Sequence, residues 1–244
     1  MTWSVCAHDP ATGAFAVAVA TRAFAVGASC PFLRRGAGAL STQSFTNRYL
    51  GPAALDAMAR GIAPGDAIRG ALCGDAGEAI RQVHAVDARG RAGAHTGARC
   101  VPWAGHLARP GASFAGNMLA GPEVLEATAR AWDAGAALPL PERLMAAMEA
   151  GEAAGGDRRG RQSAAMALVT TEDFRDLDLR VDDHPEPLAE LRRLLDIWRR
   201  ERAPYLDRAP SRADPSGETD LDAIEGRWRA AGLDLRFGGG PPRP

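Results

Sequence analysis

The start of the chain constrains the fold more than any other segment, because it has the pattern of two strands joined by a tight turn. Residues 2–8 (TWSVCAH) alternate between two faces, and residues 14–21 (AFAVAVAT) form a second apolar run of strand length. The DPATG segment between them contains a proline that fixes φ and a glycine that can adopt positive φ. One face of the first strand carries Thr2, Ser4 and Cys6. We therefore predict a β-hairpin at the start of the chain.

Further strand patterns follow along the chain, and helical patterns lie between them. Strands are predicted near 27–33, 37–44, 80–86, 91–96, 112–118, 163–170 and 177–182. Helices are predicted near 52–60, 64–72, 122–134, 141–153 and 186–203. Because the strands come mostly as hairpins, we expect an α+β protein with antiparallel sheets and helices packed outside them.

Composition excludes several classes of function. The formal net charge is −1, so no overall field favours nucleic acid or an anionic membrane surface. The chain contains no lysine, which excludes a Schiff-base lysine and a P-loop lysine. The cysteines lack CxxC spacing and the histidines lack HxH or HxxxH spacing, so we expect neither a metal site nor a cofactor. No apolar run approaches about 18 residues and no signal-peptide pattern is present, so we expect a cytoplasmic protein without a membrane partner.

A segment rich in glycine and arginine, residues 155–163 (GGDRRGRQS), leads into a predicted core strand. Glycines permit a substrate to approach the backbone, and arginine forks suit a carboxylate. A solvated surface loop is the alternative interpretation, because charge runs usually face water. As a substrate-binding loop, it offers Arg158 or Arg161 for a carboxylate and Asp157 for an amino group, with Gln162 and Ser163 nearest the strand.

The C-terminal part of the chain differs in pattern from the rest. We predict a domain at residues 1–185, an amphipathic helix within 186–206, and a linker, short helix and disordered GGGPPRP tail within 207–244. The amphipathic helix carries leucines at helical spacing, which suits docking on the domain or on a second copy of the chain. We therefore expect a homo-oligomer, with a dimer as the simplest form.

Five segments of the chain together resemble one known family. They are Thr2–Val5 with the turn at 9–13, Ala25–Gly27, Ser41–Ser44, Gly116–Gly121 and Gly155–Ala165. In this order and at these spacings they resemble the bacterial and archaeal family labelled domain of unknown function 1028, whose members resemble N-terminal nucleophile (Ntn) hydrolases. The resemblance covers about residues 2–185. It implies a four-layer αββα sandwich of two antiparallel sheets, with a C-terminal helical extension, and an amidohydrolase that cleaves a C–N bond in a small-molecule substrate.

The implied mechanism assigns the nucleophile to Thr2. In an Ntn hydrolase, the first residue supplies both the attacking side chain and, through its α-amino group, the base. The unperturbed pKa of an α-amino group, near about 7.7–8.0, suits a base at neutral pH. Thr2 meets this requirement once Met1 is removed. The alternative interpretation of Thr2 is an ordinary strand residue, since β-branched residues favour strands.

Four more residues are candidates for the same site. Asn117 can donate a hydrogen bond to the oxyanion that develops during acyl transfer, or it can be an ordinary turn asparagine. Thr42, Gln43 and Ser44 end a predicted strand and can line the pocket or cap the strand end. Two other interpretations stay open at this stage. One is a non-catalytic small-molecule-binding protein on the same fold, and the other is a hydrolase centre that uses Ser44, Cys6 or a histidine.

Overall fold

The strands of the computed structural model, which describes residues 2–232, form two antiparallel sheets. The ten strands of the described chain are β1 (Thr2–Asp9), β2 (Ala14–Thr21), β3 (Pro31–Arg34), β4 (Gly38–Ser44), β5 (Arg81–Asp87), β6 (Ala92–Thr96), β7 (Gly105–Arg109), β8 (Ala112–Asn117), β9 (Ser163–Val169) and β10 (Leu177–Val181). The larger sheet has the order β10-β9-β2-β1-β8-β7, and the smaller has the order β3-β4-β5-β6. The predicted N-terminal hairpin is confirmed, and its first strand lies in the middle of the larger sheet.

The first four helices of the chain pack against the two sheets. The helices are α1 (Leu50–Ala59), α2 (Pro64–Leu72), α3 (Glu123–Ala134), α4 (Leu140–Ala153), α5 (Pro187–Glu201), α6 (Ala203–Leu206) and α7 (Leu221–Ala230). Residues of α1 and α2 form an apolar cluster with Leu40 and Val83 of the smaller sheet. On the other side, Trp132 of α3 packs edge-on against Phe114 of β8, with ring centroids 6.3 Å apart. These layers confirm the α+β sandwich expected from the sequence.

The two sheets face each other across an interior whose two ends differ in chemistry. One part is an apolar cluster formed by Cys6, Phe15, Val17, Ala39, Val86 and Val169. The other part is polar, and its buried side chains include Ser4, Gln43, Gln82, His84 and Asn117. The alternation of side chains along β1 explains this arrangement, because the face that carries Ser4 and Cys6 points toward the smaller sheet.

The described residues fall into two compact units that divide between Arg192 and Arg193, within α5. In the first unit, Arg192 is paired with Glu142 and Glu149 of α4. In the second unit, α7 begins where the Asp220 carboxylate accepts hydrogen bonds from the backbone of Asp222 and Ala223. The disordered tail predicted for the last residues lies outside the described part of the chain.

The structure corrects several element boundaries. The strand predicted at 27–33 is shorter, because residues 26–28 form a 3₁₀ turn before β3 begins. The helix predicted at 186–203 ends at Glu201 and is followed by the short α6. The sequence patterns also missed β7, whose residues (GHLAR) include no β-branched or aromatic side chain. This strand forms one edge of the larger sheet, where it pairs with β8 only.

Candidate functional site

Thr2 lies at one end of the sandwich, in the centre of the larger sheet. It is the first residue of β1 and pairs with Asn117, the last residue of β8. Its hydroxyl donates a hydrogen bond to the hydroxyl of Thr21, at the end of β2, over 3.3 Å. The residue is 6% exposed. Thr2 is thus surrounded by strand ends from both sides of its own sheet.

Side-chain amides from three strands converge beneath Thr2. The Nδ2 of Asn117 and the Nε2 of Gln43 donate to the Thr2 carbonyl oxygen, at 3.4 and 3.3 Å. The same two nitrogens donate to Oε1 of Gln82, each over 2.9 Å. Gln82 in turn donates through Nε2 to the carbonyl of Gly116, at 2.8 Å. This amide cluster of Gln43, Gln82 and Asn117 joins the two sheets and fixes the backbone at Thr2.

A second polar group lies deeper between the sheets. The hydroxyl of Ser4 donates to Oε1 of Gln43 over 2.7 Å, and it lies 2.7 Å from Nε2 of His84. The other ring nitrogen of His84 lies 3.1 Å from the hydroxyl of Ser113. Burial lowers the pKa of His84 to about 3, so the imidazole is neutral near pH 7. Although Ser4 and His84 have the spacing of a nucleophile and its base, both are fully buried and no substrate can reach them.

Six connecting segments surround the end of the sandwich where Thr2 lies. They are residues 22–30, 45–49, 73–80, 97–104, 118–122 and 155–162, and we call them the loop ring. Every one of them precedes or follows a strand at the same end as Thr2. Each is linked to the next by hydrogen bonds, directly or, between segments 22–30 and 45–49, through Thr42 of β4.

The first half of the loop ring is joined through side chains. The backbone N–H of Arg22 donates to the Asp157 carboxylate over 2.6 Å, which links segments 155–162 and 22–30. Thr42 then bridges two segments, because its N–H donates to the Cys30 carbonyl and its hydroxyl donates to the Asn47 carbonyl. Asn47 donates through Nδ2 to Asp75 over 2.8 Å, which reaches segment 73–80.

Backbone hydrogen bonds close the second half of the loop ring. The N–H of Arg99 donates to the carbonyl of Ala79 over 2.7 Å, and that of Met118 donates to Val101 over 2.9 Å. The N–H of Ala120 donates to the carbonyl of Gly156 over 3.1 Å, which returns to segment 155–162. The ring is therefore a continuous frame around Thr2 and not a set of independent loops.

Asp75 is the most strongly held carboxylate of the loop ring. It accepts hydrogen bonds from Arg81, Asn47 and the backbone of Gly77. These bonds, with that from Arg81 the strongest, hold the pKa of the Asp75 carboxyl well below its usual range. The carboxylate is therefore charged at neutral pH and serves as a fixed acceptor that ties two segments together.

The candidate residues of the glycine-arginine segment have different environments. The Asp157 carboxylate is buried and accepts from the N–H groups of Arg22 and Arg159. Arg161 is paired with Glu152 and Glu186. By contrast, the Arg158 side chain is exposed and forms no hydrogen bond or ion pair with any residue of the described chain. Arg158 is thus the candidate arginine that is free to bind an anion.

Gln162 and Ser163 hold neighbouring segments in place. Gln162 accepts a hydrogen bond from Arg22 at 2.6 Å and donates to Asp183 at 3.1 Å. The Ser163 hydroxyl donates to the carbonyl of Ala23 and accepts from the N–H of Val26. In this arrangement the polar atoms of both side chains are bonded to the protein, and they order residues 22–26.

Thr42, Gln43 and Ser44 do not share one environment. Thr42 and Gln43 point to opposite faces of β4, as consecutive strand residues do, so only Gln43 reaches the amide cluster. Ser44 ends the strand with a φ of +69°, in the left-handed region that favours glycine. Ala25 and Met118 have φ values of +54° and +52°. All three belong to, or directly adjoin, the loop ring.

Sequence reasoning missed Gln82, Thr21 and Arg22, and it proposed only a generic role for a histidine at this site. A usable indication was present in the predicted strand at 80–86, where Gln82 and His84 occupy the same face. Two polar residues on the face of a strand that packs against another sheet need buried hydrogen-bond partners.

Among residues 2–232, no three His, Cys, Asp or Glu side chains come together as a metal site, and none of the helices has the length and hydrophobicity of a membrane span.

Comparisons with known proteins identify the family. The chain is 32% identical to protein SPO2555 from Silicibacter pomeroyi, whose crystal structure superposes with a TM-score of 0.82 and which is assigned to the same family. The match covers 88% of this chain and 94% of that one. No curated protein sequence matches the chain. Residues 2–191 match the family of unknown function DUF1028, and the chain therefore belongs to that family.

Proposed function

We propose that this protein is an amidohydrolase that cleaves a small amide or peptide-like C–N bond with Thr2 as its N-terminal nucleophile. The observation that supports this function best is the place of Thr2, at the centre of the loop ring with its carbonyl held by two side-chain amides. A strand in the middle of a sheet is the most rigid position that the fold offers for a reacting group. Met1 lies outside the described residues, and its removal is part of the proposal.

Removal of Met1 would turn the amide nitrogen of Thr2 into an amine. In the proposed reaction, this amine accepts the proton of the Thr2 hydroxyl as Oγ1 attacks the substrate carbonyl carbon. The C–N bond then breaks, the proton passes to the leaving amine, and an ester with Thr2 remains. Water hydrolyses the ester and restores the hydroxyl, so no cofactor or metal takes part.

Asn117 is proposed to donate a hydrogen bond to the oxyanion in place of the one that it donates to the Thr2 carbonyl oxygen. Its amide nitrogen has two hydrogens, one directed to Gln82 at 2.9 Å and one to the Thr2 carbonyl at 3.4 Å. The longer bond is the weaker of the two, so a developing oxyanion can replace that acceptor. Gln43, which also donates to the Thr2 carbonyl, would then hold the backbone of the nucleophile.

The alternative is a non-catalytic protein that binds a small molecule within the loop ring. The low exposure of Thr2 and the internal hydrogen bonds of Asn117 favour this interpretation. Both functions require a small-molecule ligand at the same end of the sandwich. They differ only in whether a covalent bond forms to Thr2. A cytoplasmic location and a homodimer are expected for either function.

The first test measures removal of Met1 and covalent labelling of Thr2. Intact-mass analysis of the purified protein should show loss of Met1, and a β-lactone probe should add one acyl group, located on Thr2 by peptide mapping. The Thr2→Ala variant should lose labelling and any amide hydrolysis by at least about a thousandfold, as expected when a nucleophile is removed.

Matched variants distinguish the nucleophile from other hydroxyl and thiol groups. Ser44→Ala and Cys6→Ala should still be labelled, and so should Thr12→Ala, which removes an exposed threonine from the hairpin turn. Retained Met1 in all molecules, or full hydrolysis by Thr2→Ala, would exclude the proposed mechanism. Reversible ligand binding with no adduct would favour the binding protein.

A further inference from the structure

The loop ring carries an unusual set of exposed aromatic side chains. Phe24, Phe45 and Tyr49 are 70%, 58% and 86% exposed. Within residues 2–232, Phe174 is the one other aromatic side chain that is comparably exposed. Exposure of large apolar groups to water is unfavourable, so their concentration around one site indicates a ligand with a flat apolar part.

The loop ring is also positively charged. Its segments contain six arginines and three carboxylates, in a chain whose net charge is −1. Two of the carboxylates, Asp75 and Asp157, accept hydrogen bonds from other residues of the ring, and Glu78 is exposed. Three arginines, Arg48, Arg99 and Arg158, are exposed and form no side-chain hydrogen bond or ion pair within the described chain. The ring therefore presents free guanidinium groups to an anion.

Free arginines and exposed aromatic rings occur on the same or adjoining segments. Arg158 directly follows Asp157, whose carboxylate holds the backbone of Arg22, and Phe24 lies two residues further along. Arg48 lies between Phe45 and Tyr49 on the next segment of the ring. A guanidinium binds a carboxylate through two parallel hydrogen bonds, and an aromatic ring binds a second flat group by stacking.

We infer that the substrate of the proposed site is an amide that carries a carboxylate and an aromatic or similarly flat apolar group, with the carboxylate bound by Arg158. This inference rests on the proposed function, because only an enzyme would make the ligand a substrate. The recognition itself can be measured without turnover, because binding does not require the nucleophile.

The experiment is a two-by-two ligand panel on the Thr2→Ala variant, with binding measured by titration calorimetry. The ligands are N-acetyl-phenylalanine, N-acetyl-phenylalaninamide, N-acetyl-alanine and N-acetyl-alaninamide. N-acetyl-phenylalanine should bind most tightly, and replacement of its carboxylate by the amide should weaken binding about tenfold or more, because a hydrogen bond to a charged group is lost.

Variants of the ring identify the groups responsible. Arg158→Met should weaken binding of N-acetyl-phenylalanine about tenfold and leave N-acetyl-phenylalaninamide unchanged. Phe24→Ala should weaken both phenylalanine ligands and neither alanine ligand. The matched controls are Arg89→Met and Phe174→Ala, which remove an exposed arginine and an exposed aromatic ring outside the loop ring, and both should bind like the parent. Circular dichroism confirms that each variant is folded.

The outcomes separate this inference from the proposed function. Equal binding of the acid and the amide, no binding of any ligand, or an unchanged affinity in Arg158→Met would overturn the inference. Dissociation of a dimer by Phe24→Ala without any effect on ligands would also overturn it, since the rings would then serve contact between copies. Carboxylate-dependent binding with no covalent adduct in the Thr2 protein would support the inference and refute the amidohydrolase.

Discussion

The two ends of the sandwich differ in the types of residue that adopt positive φ. At the end opposite Thr2, four of the hairpin turns place positive φ on a glycine, namely Gly13, Gly36, Gly90 and Gly111 at +69° to +74°. At the Thr2 end, glycines of segments 73–80 and 155–162 also have positive φ, but Ala25, Ser44 and Met118 adopt it although each has a Cβ, at a cost of about 1–2 kcal/mol per residue. The difference indicates that the loop ring holds these three residues in a conformation that a Cβ disfavours, which is typical of functional sites.

The interior between the sheets follows the same division. Toward the hairpin turns it is packed by apolar side chains such as Phe15 and Val86, which need only shape complementarity. Toward the loop ring it contains the amide cluster, in which each donor has a defined acceptor. A buried polar network that is fully bonded specifies one arrangement, whereas an apolar core tolerates repacking. The end with the candidate site is thus the more precisely defined of the two.

The largest expected effect is the loss of Gln82. Gln82→Ala removes one acceptor from each of the amides of Gln43 and Asn117 and one donor from the carbonyl of Gly116, at about 1–3 kcal/mol for each buried hydrogen-bond partner lost. We expect the free energy of unfolding to fall by about 4 kcal/mol in urea titrations. In the same strand, Val86→Ala removes apolar contacts only and should cost about 2 kcal/mol. A smaller loss in Gln82→Ala than in Val86→Ala would contradict the contrast between the two parts of the interior.

The next largest expected effect is on the pH dependence of the free energy of unfolding, in which His84 is compared with His8. Burial lowers the pKa of His84 to about 3, against an ordinary value of 6.5, so the unfolded chain binds a proton that the folded chain does not. Stability from this group is complete above pH 6.5 and falls by about 1.4 kcal/mol per pH unit toward pH 3. Wild type should therefore lose about 2 kcal/mol between pH 6.5 and 5 relative to His84→Asn.

The control for this prediction lies at the opposite end. Burial also lowers the pKa of His8, but the carboxylates of Asp9 and Asp87 act in the other direction. His8→Asn should therefore alter the pH dependence less than His84→Asn does. Urea unfolding at several pH values measures both, and identical curves for the two variants would show that the buried polar region does not respond to protonation as described.

The smallest expected effect concerns the positions with positive φ, where alanine replaces glycine at one end and glycine replaces alanine at the other. Gly13→Ala places a Cβ in the left-handed region, in open space, and should destabilise the protein by about 1 kcal/mol. Ala25→Gly removes such a Cβ and should stabilise it by a similar amount. Thermal unfolding of both variants gives the signs. Destabilisation by Ala25→Gly would show that the contacts of its methyl group outweigh the strain.

Local patterns predicted the strands other than β7, because side-chain alternation and glycine turns act over a few residues. The loop ring could not be predicted in this way. Its links join distant residues, such as Arg22 and Asp157, and they depend on where whole strands end. The sequence likewise treats Arg158 and Arg161 alike, and they differ because Glu152 and Glu186 lie within reach of only one of them.

The central position of β1 has a practical consequence for anyone who handles the protein. β1 begins at Thr2 between β2 and β8, so a peptide fused ahead of Thr2 would leave the sheet among the segments of the loop ring. An N-terminal affinity tag would lie next to the candidate site and would also keep the nitrogen of Thr2 in a peptide bond. A tag inserted in the exposed DPATG turn, at the far end of the same strand, keeps away from the candidate site.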